Sequence, residues 1–174
     1  MSASRLKGKP LLEINNLPVI CHVVEKAKAS GVGDVIVATE DEEIFNVVRK
    51  NGGESILTGK HKTGTDRIFE AYKKLKKENI KYVLNLQGDE PMIDSKDILN
   101  LNNLMIENNS DIGTLACKIN EDSILNNKNA VKVIVKEKLK NHSFTKALKF
   151  SRKILSKENF YIYHQHLKEY IFSP

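Results

Sequence analysis

The chain has 174 residues, 40% of them apolar and 29% charged, with a formal net charge of +6. That size suits a single globular domain with a substantial core, and no apolar stretch approaches the roughly 20 residues of a membrane span. The opening Met1-Ser-Ala-Ser-Arg-Leu-Lys has no apolar centre of a secretory signal, so a cytoplasmic protein is expected.

The chain starts with a turn around Gly8, and no strand precedes it. Pro18 to Ser30 reads as a helix: Ile20, Val23, Val24 and Ala27 recur at helical spacing, Pro18 suits the first turn and Gly31 stops it. Asp34 to Thr39 is a continuous apolar run of strand length, as expected for a strand covered on both faces. Asp41 opens a second helix that Asn51-Gly52-Gly53 ends, and Glu54 to Leu57 is a short strand. Thr65 to Lys77 is a third helix and Lys81 to Leu86 the next strand. Ser95 is the expected N-cap of a helix running through Glu107. Ile112 to Ile119 and Ala130 to Val135 read as strands, and after Arg152 the alternation dissolves. Strand and helix in alternation predict an α/β fold with a mostly parallel sheet flanked by helices.

The charge invites a nucleic-acid reading, because Lys73, Lys74, Lys76 and Lys77 cluster and Lys136, Lys138 and Lys140 alternate. Few aromatics interleave with them and no binding motif accompanies them, so a solvated face is the expectation. Excess positive charge would still draw in an anionic small molecule. Cys21 and Cys117 lie far apart in apolar surroundings, as reduced core residues do.

Chemistry concentrates at a few turns. Asn85-Leu-Gln-Gly-Asp-Glu-Pro91 follows an apolar run, which sets Asp89 just past the carboxyl edge of a strand. In open α/β sheets ligands bind at that edge, and a carboxylate there can hold a divalent cation against a phosphate. Helix capping is the commoner explanation of such a turn taken alone. Ser4 to Pro10 gathers Arg5, Lys7 and Lys9 around one glycine, as a phosphate clamp or as a basic tail, and its spacing does not match a P-loop. In Thr63-Gly-Thr-Asp-Arg67, either threonine can cap the next helix, whose free N–H groups and Arg67 then face the sheet edge. His164-Gln-His166 has alternate spacing, but a metal site there lacks a third nearby ligand.

In their order, these pieces resemble the 3-deoxy-manno-octulosonate cytidylyltransferases, the CMP-Kdo synthetases. The matching segments are Ser4-Arg-Leu-x-Gly-Lys-Pro-Leu11, Val35-Ile-Val-Ala-Thr39, His61-x-Thr-Gly-Thr-Asp-Arg67, Asn85-x-Gln-Gly-Asp-Glu-Pro91, Asn129-Ala-Val-Lys-Val133 and Phe150-Ser-Arg152. The resemblance implies a Rossmann-like nucleotidyltransferase fold that joins CTP and Kdo into CMP-Kdo and pyrophosphate with Mg²⁺, for lipopolysaccharide synthesis. By resemblance, Arg5 and Lys9 hold the triphosphate and stabilise the charge that develops during transfer. Gly64, Thr65, Asp66 and Arg67 surround the cytosine and ribose, with Gln87 nearby, and Asp89 binds Mg²⁺. Arg152 and one of His164 and His166 face the sugar acid. The form of the 63–67 and 87–91 motifs favours Kdo over a sialic acid.

Departures from the family pattern accompany the match. The family's Ile-Pro-Ala-Arg strand would precede Ser2, Lys7 replaces a proline, and Ile154-Leu155 replaces Ile-Pro. The family's C-terminal part, with a second metal-binding aspartate and much of a dimer surface, is not present, so the resemblance implies an incomplete fold. Its neighbouring strands should expose unpaired edges, which predicts weak stability or a partner that supplies a strand. The alternative to an active enzyme is a catalytically inactive remnant that still binds a nucleotide.

Overall fold

The computed structural model describes residues 8–119, 126–140, 144–153, 161–165 and 170–172, with 164, 165 and 170–172 described by backbone alone. Gly8, at φ 82°, leads into a 3₁₀ turn over Lys9–Leu11. Strands β1 (Glu13–Ile14) and β2 (Leu17–Pro18) follow as a hairpin closed by Asn15 and Asn16. Both asparagines have positive φ, 51° and 61°, the geometry of a type I′ turn that asparagine tolerates better than most residues.

Helix α1 (Val19–Ser30) buries Ile20, Val23 and Val24 and ends at Gly31 in the left-handed conformation, as its spacing predicts. Strands β3 (Ile36–Thr39) and β4 (Glu54–Leu57) pair in parallel around helix α2 (Glu42–Lys50). Asp41 caps α2 by accepting hydrogen bonds from Glu43 N–H and Ile44 N–H at 2.8 and 3.3 Å. Next come α3 (Gly64–Leu75), β5 (Val83–Asn85) and α4 (Ser95–Glu107). Asp94 caps α4 through Lys96 N–H at 2.9 Å, not the expected Ser95, whose backbone is already helical.

Beyond α4 the sheet departs from the mostly parallel arrangement expected. The run 112–119 is not one strand but two: β6 (Ile112–Gly113) and β7 (Ala116–Lys118) enter different sheets. β11 (Tyr170–Phe172) lies between β5 and β6, antiparallel to both. β7, β10 (Tyr161–Gln165), β8 (Lys132–Val135) and β9 (Ala147–Ser151) form a four-stranded antiparallel sheet in that order. Among the described residues, β3–β4 is the parallel pair. These pairings join segments far apart in sequence, and local patterning carries no signal for them.

The core is correspondingly divided. Ile20 and Cys21 of α1 cluster with Val48 of α2; Leu101 and Met105 of α4 pack against Tyr82, Leu84 and Leu115; Val133, Val135 and Tyr163 cluster on the antiparallel sheet. Gly113 fits because an added Cβ would stand 2.3 Å from the Met105 sulfur. Both cysteines are free, Cys21 buried and Cys117 half-buried. Burial, and secondarily Glu25, pushes the Cys21 thiol pKa up.

β3 pairs through one edge with β4, and β5 through one edge with β11. Their other edges have no strand partner among the described residues, and both strands line a shared cavity of about 620 Å³. Among the described residues no helix is long and apolar enough to cross a membrane.

Candidate functional site

The turn after β5 is held close to the start of the chain. Lys9 Nζ donates to Asp89 Oδ2 at 2.9 Å, and both side chains remain about two-fifths exposed. The pair joins a predicted triphosphate ligand to a predicted metal ligand across 80 positions of sequence. Gly88 admits this turn against α1, since an added Cβ would lie 2.7 Å from Ile20 Cδ1. Gln87 Nε2 donates to the Asn85 side-chain oxygen at 3.2 Å, which orients its amide over the end of β5.

The second motif caps α3. Thr63 Oγ1 accepts from Asp66 N–H at 3.1 Å and donates to Asp66 Oδ2 at 2.6 Å, so Thr63 is the cap and Thr65 sits in the exposed first turn. An added Cβ on Gly64 would meet nothing within 4 Å, so space lies open above the helix start. That helix end presents backbone N–H groups and a positive dipole end to whatever enters. One turn in, an Arg67 Nη2 atom lies 3.5 Å from Glu40 Oε1, just past the carboxyl end of β3. Its Nε is buried with no hydrogen-bond partner. A buried guanidinium donor of this kind is free to take an acceptor from a bound water or a ligand. Gly64, Arg67, Gln87 and Gly88 all line the 620 Å³ cavity, so the structure brings most of the predicted nucleotide group together.

The predicted sugar-facing group lies on the antiparallel sheet. Arg152, directly after β9, donates from Nη1 to the Asn129 carbonyl at 3.1 Å. His164 is placed by its backbone in β10, opposite Lys132 of β8, and Lys132 in turn lies opposite Ser151 of β9. Arg152 and His164 thus stand at one end of the same sheet. Arg5 and His166 lie outside the described residues. His22, in α1, donates from Nε2 to the Ile14 carbonyl at 2.8 Å, a structural contact.

Sequence reasoning missed three groups. Glu40 follows a strand end, a position that could have marked it. Glu70 collects the Gly59 N–H at 3.0 Å, Lys74 Nζ at 2.7 Å and the His61 ring, tying the loop before Thr63 to α3. Lys74, His61 and Gly59 hold the Glu70 carboxyl at about 2, well below the usual carboxylate range. Its i,i+4 spacing to Lys74 was the available signal. Lys132 is the largest side chain that is almost wholly buried, at 1% exposure, in a strand buried at all its positions.

Three of the lysines that raised the nucleic-acid question meet partners of their own. Lys74 meets Glu70, Lys77 meets Asp34 at 2.5 Å, and Lys73 lies 4.5 Å over the Phe69 ring. Local pairing of this kind fits the solvated face expected.

Among the described residues no three His, Cys, Asp or Glu side chains converge on one point. A single carboxylate nevertheless fits Mg²⁺, which commonly takes one or two carboxylates and completes its shell from substrate phosphates and water. Asp89 offers hard oxygen donors, remains partly exposed, and already attracts a cation in Lys9.

A family model described as "Cytidylyltransferase" matches residues 1–173. The 3-deoxy-manno-octulosonate cytidylyltransferase of Nitrobacter winogradskyi is 45% identical over 136 residues, covering 77% of this chain and 54% of that protein. The one from Wigglesworthia glossinidia brevipalpis is 41% identical over 134 residues, covering 76% and 55%. A solved CMP:2-keto-3-deoxy-manno-octonic acid synthetase, complexed with CTP, superimposes with a TM-score of 0.81 at 35% identity, covering 98% of this chain and 69% of that one. The chain spans about half the length of the curated relatives it matches.

Proposed function

The chain belongs to the cytidylyltransferase family, and from that premise we propose that it activates 3-deoxy-manno-octulosonate with CTP, giving CMP-Kdo and pyrophosphate for lipopolysaccharide synthesis. We place the reaction in the cytoplasm, where its nucleoside triphosphate substrate is made. The observation that carries this reading is the convergence of Gly64, Arg67, Gln87 and Gly88 on one cavity, in a chain whose relatives are named for this activity.

On this reading the cytosine and ribose lie over the first turn of α3. Gly64 lets them approach the backbone, Thr65 and Asp66 offer short polar groups, and the orphaned Arg67 Nε finds its acceptor. Lys9, with Arg5, neutralises the triphosphate. Asp89 would hold Mg²⁺ together with phosphate oxygens, and the metal would supply charge neutralisation at the phosphoryl group undergoing transfer. Arg152 presents a planar fork to the carboxylate of the sugar acid, and His164 or His166 contacts the rest of it. The sugar's anomeric oxygen then attacks the α-phosphorus, its proton leaves to solvent or a base, and the bond to pyrophosphate breaks. Positioning and electrostatics carry the rate, because no covalent intermediate with the protein is required.

Pyrophosphate release from CTP, Kdo and Mg²⁺ tests the reading directly. Release that vanishes in Asp89→Ala and survives in Lys76→Ala supports the assigned site, and equal losses count against it. CTP binding without any release would identify a nucleotide-binding chain that does not turn over.

A further inference from the structure

Lys132 is the most unusual charged residue of the described chain. It is 1% exposed, yet none of the ion pairs among the described residues includes it. A buried ammonium is costly unless its donors are met, and here backbone oxygens meet them. Nζ donates to the Asn127 carbonyl and, at 3.2 Å, to the Arg152 carbonyl. Arg152 returns the link by donating its guanidinium to the Asn129 carbonyl at 3.1 Å. Asn129 N–H donates to the Asn127 side-chain oxygen at 2.8 Å, and Ala130 N–H reaches the Asn127 carbonyl at 3.2 Å, closing the turn. The result is a ring of contacts running from Lys132 through the 127–129 turn to Arg152 and back.

We infer that Lys132 is a positioning residue: its buried ammonium clips the 127–129 turn to the end of β9 and so fixes the Arg152 guanidinium for a carboxylate-bearing sugar. This rests on the assignment of Arg152 to the sugar acid made above. An apolar side chain at this position would remove the link between the two carbonyls, leaving Asn127's with Ala130 N–H and taking the Lys132 donor from Arg152's. The guanidinium would then keep its contact to a turn no longer anchored to its own backbone. One Nη1 donor of Arg152 is committed to Asn129, which sets the plane of the fork and leaves its remaining donors to define a bidentate direction. Lys132 also stands opposite His164, so the same side chain sits in the row that joins both predicted sugar-facing elements.

The test is calorimetric titration of Kdo into CTP-saturated protein without divalent metal, with CTP titrated separately. Lys132→Met should weaken Kdo binding about tenfold, the loss of a charge-assisted hydrogen bond, and leave CTP affinity unchanged. Asn127→Ala, at an exposed position, opens the same ring from the turn and should weaken Kdo binding a few-fold in the same selective way; it carries the test if Lys132→Met does not fold. Wild-type Kdo affinity in both variants, with affinity lost in Arg152→Ala, would overturn the inference while the sugar-acid reading stands. Equal weakening of CTP and Kdo by Lys132→Met would overturn it as well, since a loss of general stability is not selective. Wild-type Kdo affinity in Arg152→Ala would remove the underlying assignment and the inference with it.

Discussion

The region proposed to face the nucleotide and the region proposed to face the sugar are built by opposite means. Around Lys9, Asp89, Arg67 and Glu40 the contacts are ion pairs between half-exposed side chains, at 2.9 and 3.5 Å. Around Lys132 and Arg152 they are side-chain donors meeting backbone carbonyls, with one partner almost wholly buried. Exposed pairs contribute roughly 0–1 kcal/mol and can exchange partners at little cost. The almost wholly buried Lys132 ammonium cannot leave its carbonyls without stranding a charged donor. The first region is suited to release its own pairs in favour of phosphates and a metal; the second is suited to hold one geometry. On the nucleotide side, too, the neighbouring strands β3 and β5 each keep an edge without a strand partner among the described residues, whereas β8 is paired on both sides.

The sharpest break between the two should come from Asp89→Ala. If the exposed pair exists to be exchanged, pyrophosphate release should fall on the order of 10²–10³-fold, as when one electrostatic contact to a transition state is lost. The unfolding free energy should move by less than about 1 kcal/mol, the range of an exposed pair. A large stability loss would mean that Lys9–Asp89 is structural and the contrast is false. Ile134→Ala, 5% exposed in β8, should do the reverse. It should cost about 2–5 kcal/mol in denaturant melts and leave the affinity of folded protein for CTP unchanged. Smaller again is Glu40→Gln. At 3.5 Å its pairing with Arg67 is long, so stability should change by under about 1 kcal/mol. CTP should bind a few-fold more tightly, because Arg67 no longer leaves a carboxylate to meet it. Weaker CTP binding would show that Glu40 holds Arg67 in place instead of competing for it.

The two regions also differ in how far they were legible. The β3–α2–β4 unit was readable because each signal is local: an apolar run, Asp41 as a cap, glycines as a stop. Motif order in the sequence marked Gly64, Thr65, Asp66, Arg67, Gln87 and Asp89, and of these the cavity brings Gly64, Arg67 and Gln87 together with Gly88, leaving Thr65, Asp66 and Asp89 off its lining. The antiparallel sheet was not legible. β10 inserts between β7 and β8 from a segment that had looked irregular, and 112–119 splits between two sheets. Neither event leaves a trace in local periodicity, because register across distant strands is decided by packing. The part Lys132 plays was hidden for the same reason: it falls inside the matching segment 129–133, but only the pairing of β8 with β9 shows what its ammonium meets.

Glu70 offers the finest test, since it is the nucleotide side's counterpart to Lys132 with the sign reversed. There a buried cation gathers carbonyls; here a carboxylate with about a quarter of its side chain exposed gathers the Gly59 N–H, Lys74 and His61. Its pKa is lowered to about 2 from an ordinary 4.5, chiefly by Lys74, then by His61 and Gly59. A lowered pKa in the folded state means that the ionised carboxylate favours folding. That contribution is whole above the unfolded value and drains away as pH falls from about 4.5 towards 2. The difference in melting temperature between wild type and Glu70→Gln should therefore be constant near pH 6, narrow below about 4.5 and close near 2. A difference that stays flat down to pH 2 would mean the glutamine keeps the loop as well as the carboxylate does. The contacts to Gly59 and His61 would then act through shape, and the charge contrast between the two regions would lose its smaller half.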